Sequence, residues 1–130
     1  MTRNASASVL GMQELVVKVT VGAEAPERTN QAFTVASAAA TAGAKVSLWL
    51  TGEATWFAVP GKAEEFTLEN AAPLQELIGL VIEAGQVTVC SQCASRRDLS
   101  EDDLIDGVTI KGAVVFAEEI LREGVQALVY

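Results

Sequence analysis

An α/β fold, a single three-layer α/β/α domain on a mostly parallel sheet of about five strands, is what this sequence predicts. Short β-branched runs alternate along the chain with segments of helical period, the order that builds parallel sheets through right-handed crossovers with helices on both faces. The first of these runs, Glu14 to Val21, is apolar at nearly every position except Lys18, as expected of a central strand covered on both sides. Half of the 130 residues are hydrophobic, so a chain of single-domain length can bury one sizeable core.

The elements follow in order. Residues 1–13 are small, polar and without period, and read as a flexible tail, with Met12 near the start of ordered chain; 14–130 form the domain. After the strand Glu14 to Val21 the chain turns through Gly22 to Ala25, and Pro26 suits the first turn of a helix. Phe33, Val35, Ala36, Ala39 and Ala40 give that helix an apolar, small-residue face, and Gly43 ends it. Lys45 to Leu50 is a second strand, with Val46, Leu48 and Leu50 on one face and Ser47 and Trp49 on the other.

Thr51 to Lys62 is a loop or short helix that carries Trp56 and Phe57, which either fill the core or a subunit contact or wall a pocket near Cys90. Glu64 to Glu69 is weakly signalled. Leu74, Leu77, Ile78, Val81 and Ile82 recur at helical spacing, entered by Asn70 or Pro73 and stopped by Gly85. Gln86 to Cys90 is a third strand, followed by a cysteine loop, a capping box at Ser100-Glu101-Asp102-Asp103 opening a short helix closed by Gly107, and a brief extended stretch, Val108 to Ile110. A helix over Gly112 to Glu123, capped by Gly124, leads to a last strand, Val125 to Tyr130.

Composition narrows the chemistry. Seventeen acidic against nine basic residues give a formal charge of −8, which repels a phosphate backbone and argues against direct nucleic-acid binding. No run approaches the length of a membrane span, and the N-terminal stretch does not read as a signal peptide. Two cysteines without such a leader point to a reducing, cytoplasmic setting. The chain has no histidine, so Cys-His and Ser-His dyads and imidazole metal ligation are excluded.

What remains centres on Gln86-Val87-Thr88-Val89-Cys90-Ser91-Gln92-Cys93-Ala94-Ser95-Arg96-Arg97. In parallel sheets, reacting groups gather beyond the carboxyl ends of the strands, where Cys90 falls together with the loops after Val21 and Leu50. Backbone amides past the strand end and the cations Arg96 and Arg97 can lower the pKa of a thiol without an imidazole. Cys93 is then a resolving thiol or a packing residue, and Cys90 itself is either a nucleophile or a small buried hydrophobe. One C-x-x-C supplies half of a tetrahedral zinc site, so zinc would require a site shared between subunits, and no resident metal or cofactor is expected.

The strand ending at Cys90, the C-x-x-C with basic residues behind it, the segment Asp103-Leu104-Ile105-Asp106-Gly107-Val108-Thr109-Ile110-Lys111-Gly112-Ala113 and the final helix and strand resemble the DsrE/DsrF-like family, which includes TusD- and YchN-type proteins. The resemblance spans about residues 14 to 130. It implies a small three-layer α/β domain, assembly as a trimer or hexamer, and carriage of sulfur as a persulfide on Cys90 between donor and acceptor proteins or small sulfane-sulfur compounds. Where many relatives have glycine after the arginine behind the cysteines, this chain has Asp98. Two other readings stand beside sulfur relay: a thiol redox protein using a Cys90–Cys93 disulfide, and a non-enzymatic oligomeric scaffold or small-ligand binder.

Overall fold

The computed structural model describes residues 13–130; the expected flexible tail, apart from its last residue, and the expected start at Met12 lie outside the described residues. Five strands, β1 (Glu14–Val19), β2 (Lys45–Leu50), β3 (Gln86–Cys90), β4 (Val108–Lys111) and β5 (Val125–Val129), form one sheet in the order β4-β3-β2-β1-β5. Every neighbouring pair is parallel. The connecting helices are α1 (Pro26–Thr41), α2 (Leu74–Ala84), α3 (Ser91–Arg96) and α4 (Ala113–Leu121), with 3-10 turns at Gly52–Ala58, Ala63–Glu65 and Glu101–Asp103. No helix of the described residues is long and apolar enough to cross a membrane.

The handedness of the crossovers explains the layers. From β1 to β4 the chain moves stepwise in one direction across the sheet, so α1 and α2 lie on one face; the return from β4 to β5 reverses that direction and carries α4 across the other face. Strand residues alternate accordingly. Val17, Val19, Val46, Leu48, Leu50, Val87 and Val89 join one buried cluster with α1 and α2. The small faces of Ala32 and Ala36 leave room beside Phe33, and Leu74, Leu77, Ile78 and Val81 of α2 fill the rest at spacings of three and four. Phe57, from the turn after β2, closes one end of this core, edge-on to Phe33 at 5.8 Å and to Phe66 at 5.7 Å.

The opposite face is built differently. Trp49 is buried there against Phe116 of α4, with ring centroids 5.3 Å apart at 79°. Glu119, 7% exposed, accepts hydrogen bonds on one carboxylate oxygen from the Ser47 hydroxyl at 2.6 Å and from the Trp49 indole N–H at 3.1 Å. A buried carboxylate is tolerated when donors meet it, and here the donors come from the strand that the helix must cover.

Several expectations are corrected at their edges. β1 ends at Val19 rather than Val21, although the Thr20 amide still donates to the Tyr130 carbonyl at 2.9 Å. α2 is entered from Pro73, not Asn70; Asn70 has φ of 63° and sits in a left-handed turn before it. The capping box at Ser100 and Asp103 is present but opens a single 3-10 turn, and α4 is shorter than 112–123 at both ends. The cysteine loop is not a loop: the chain passes from β3 straight into α3 at Ser91, with Cys90 as the capping residue. The six residues Ser91 to Arg96 contain neither Gly, Pro nor a β-branched side chain, so nothing local opposes the turn.

Gly85 stops α2 at φ −149° and ψ −137°, and a Cβ built there would run into the Val46 carbonyl. Gly79, in the middle of the same helix, has nothing within 4 Å of such a Cβ. Gly85→Ala is therefore expected to destabilise the fold by about 1–3 kcal/mol. Gly79→Ala is expected to stabilise it by about 0.5–1 kcal/mol, both read from denaturant midpoints at constant m value.

Candidate functional site

Cys90 ends β3 in an extended conformation, φ −64° and ψ 130°, and the turn that follows folds the amides of Gln92 and Cys93 back onto its sulfur. Its side chain is part-exposed and that of Cys93 is buried; both are free thiols. Burial pushes the Cys90 thiol up, but the two amides, the Cys93 thiol and the positive charge of Lys18 together outweigh it, and the net shift is downward from the ordinary thiol range. This is an environment that favours thiolate.

Cys93 is held from three sides. Its sulfur accepts the Gly52 amide at 3.2 Å, its carbonyl accepts from Arg97 at 3.0 Å, and its thiol reaches Cys90. Gly52 has φ of 54° and a Cβ there would stand 2.6 Å from the Thr20 carbonyl oxygen, so only glycine brings the chain this close. A Cβ on Gly22 would likewise meet Glu53 at 2.9 Å. The segments after β1 and β2 and the cysteine segment thus meet at the carboxyl edge of the sheet, as the topology predicts.

The two arginines part company. Arg97 donates to Glu53 at 2.7 Å as well as to Cys93, and its guanidinium lies over the Trp56 ring at 5.9 Å. That hydrogen bond to Arg97 holds the Glu53 carboxyl below its usual range. Arg96 is exposed on α3, beside a shallow hollow formed with Ser91, Gln92 and Ser95. Trp56 and Phe57 both line a cleft of about 280 Å³ with Glu24, Glu53, Lys62 and Phe66, and Cys90 is not among its walls. Phe57 is buried in the core and Trp56 stands at the rim, and the cleft that both line is not at Cys90.

Lys18 is the residue that sequence reasoning passed over. Its one signal was to be the exception in an apolar strand, which does not say which neighbour it meets. Among the described residues no three Cys, Asp or Glu side chains come together as a metal site. A larger groove of about 420 Å³ lies along α4 toward the opposite edge of the sheet, with Ser47, Gln86, Lys111, Val115, Glu119 and Arg122 in its walls.

No curated protein matches this chain closely enough to guide the reading. Among solved structures, the ychN protein of E. coli superposes with a TM-score of 0.77 at 21% identity, covering 92% of this chain and 100% of that one. A conserved protein of unknown function from Bacteroides thetaiotaomicron superposes with a TM-score of 0.56 at 14% identity, covering 100% of both chains. At such identities the likeness speaks for the fold. The DsrE/DsrF-like family model matches residues 13–129, nearly the whole described chain, and with the parallel five-stranded sheet and its edge cysteine this makes the protein a member of the DsrE/DsrF-like family.

Proposed function

We propose that this protein is a sulfur-relay subunit that carries sulfane sulfur as a persulfide on Cys90, in a reducing compartment such as the cytoplasm. Membership of a family generally concerned with sulfur relay supports the class of reaction. The observation that carries the assignment to Cys90 is the setting of its sulfur, which is part-exposed at a strand end, receives two backbone amides and is shifted toward thiolate. The thiolate, not the thiol, is the nucleophile in such transfers.

The step balances without an external oxidant. The Cys90 thiolate attacks the outer sulfur of a donor persulfide, the donor S–S bond breaks, and the donor leaves as its own thiolate while a new S–S bond forms on Cys90. An acceptor thiolate then attacks the outer sulfur and returns Cys90 to thiolate. Arg96, exposed beside α3, is suited to meet an anionic donor or the acidic rim of a partner protein. Arg97 acts by bracing Cys93 and Glu53.

A second reading rests on the hydrogen bond between the Cys93 thiol and the Cys90 sulfur: a reversible Cys90–Cys93 disulfide. The two are separated by mass. After incubation with thiosulfate or a persulfide donor, the intact protein is expected to gain the mass of one sulfur atom, lost on reduction and absent in Cys90→Ser. Loss of two hydrogens without added sulfur would favour the disulfide; a sulfur adduct that survives in Cys90→Ser would overturn the assignment.

We further infer that the subunit self-associates through α4 and β5. Val114, Leu121 and Val129 are 71%, 80% and 65% exposed, an unusual outlay of large aliphatic surface on adjacent elements of a small domain. A trimer or hexamer accords with this. Leu121→Asp is expected to lower the mass in light scattering toward that of one chain, with the circular dichroism spectrum unchanged; an unaltered mass would remove this face from the interface.

A further inference from the structure

Lys18 is the only cation of β1, and the sheet register fixes which face it shares. It pairs with Trp49 of β2, which pairs with Thr88 of β3, and Cys90 follows Thr88 by two residues on the same side of the strand. The ammonium is seated 4.9 Å from the centroid of the Phe116 ring. That ring is itself fixed: it packs edge-on against Trp49, whose indole N–H is tied to Glu119, and Glu119 is tied in turn to Ser47. A flexible four-carbon side chain normally samples many rotamers, so an ammonium held on an immobilised aromatic face is a placed charge.

The other charged groups near Cys90 are placed differently, and of the cations only Lys18 is among the causes of its lowered pKa. Lys111 neighbours Cys90 in the β4 register but lines the groove under α4. Arg97 is bound to Glu53 and the Cys93 carbonyl, and Arg96 is exposed on α3. Glu119 and Glu118 on α4 are acidic, and Glu119 is bound to Ser47 and Trp49. The chain as a whole carries −8, which disfavours any further anion.

We propose that Lys18 is a positioning residue for the sulfur of Cys90, holding the thiolate and the persulfide anion it becomes, and that Phe116, packed against Trp49, is the seat that aims it. This rests on Cys90 being the reactive thiol of the relay. Because the pKa of Cys90 lies below its ordinary value, thiolate persists as pH falls until the folded-state pKa is passed; removing a favourable cation moves that point upward.

The test is the pH dependence of iodoacetamide alkylation of the intact protein, with mass spectrometry identifying the modified cysteine. Lys18→Met is expected to raise the inflection of Cys90 by about half a pH unit or more, and Lys18→Arg to leave it near that of the wild type. Phe116→Leu, which keeps the charge and removes its seat, is expected to raise it part of the way. In the wild type, about 1 M KCl should also raise the inflection, and it should do so less in Lys18→Met, a response that a merely structural role of Lys18 would not produce. An inflection unmoved in Lys18→Met overturns the proposal; should that variant not fold, an inflection unmoved both by Phe116→Leu and by salt overturns it. Alkylation needs no sulfur donor, so a Lys18-dependent inflection in a protein that takes up no sulfur would sink only the relay reading.

Discussion

β2 lies at the centre of an all-parallel sheet and must be covered on both faces, and the rest of the molecule follows from how the chain meets that demand. On one side Val46, Leu48 and Leu50 meet the apolar stripes of α1 and α2, which is ordinary hydrophobic burial. On the other, Ser47 and Trp49 meet a single nine-residue helix, and the match is partly polar. One carboxylate oxygen of Glu119 takes both donors, so α4 is registered on the sheet by hydrogen bonds where the first face is registered by shape. An apolar helix could slide on an apolar face; this one has a fixed stop. Phe116, one turn earlier on α4, is therefore delivered to a defined place over β1 and β2.

Most of the architecture was legible because it is local. Alternation in Lys45 to Leu50, the three-and-four spacing of Leu74 to Val81 and the ending of β3 at Cys90 depend only on nearby residues, and each stands as read. The exceptions are instructive. The turn of helix after Cys90 reads as a loop because Ser91-Gln92-Cys93 carries no apolar period, and six residues are too few to show one. Closeness in sequence points Arg97 toward the sulfur. Glu53, 44 positions away, binds its guanidinium instead, and such a pairing has no local signature. Lys18 illustrates the converse, since its neighbours come from β2 and α4, and only the register and the crossover bring them together.

The site thus has two layers of control. Backbone amides of Gln92 and Cys93 act at contact distance and belong to the local turn, while Lys18 acts across the sheet face from a seat on another element. In an acidic protein the second layer matters, because net charge repels small anions while a single placed cation attracts them at one spot. Burial of the sulfur opposes ionisation, and the donors around it reverse that tendency. The arrangement therefore depends on geometry more than on composition, and a chain with the same residues in another register would not have it.

The two thiols differ in freedom. Cys90 sits at the rim, whereas the sulfur of Cys93 is tethered to the Gly52 amide and its carbonyl to Arg97, whose guanidinium covers Trp56. Any covalent change that draws the Cys93 sulfur away from Gly52 must disturb the 3-10 turn that begins there and, through Arg97, the environment of the indole. Trp56 is accordingly coupled to the sulfur of Cys93 through Arg97, whereas the chain's other indole, Trp49, lies on the face of the sheet that carries Cys90.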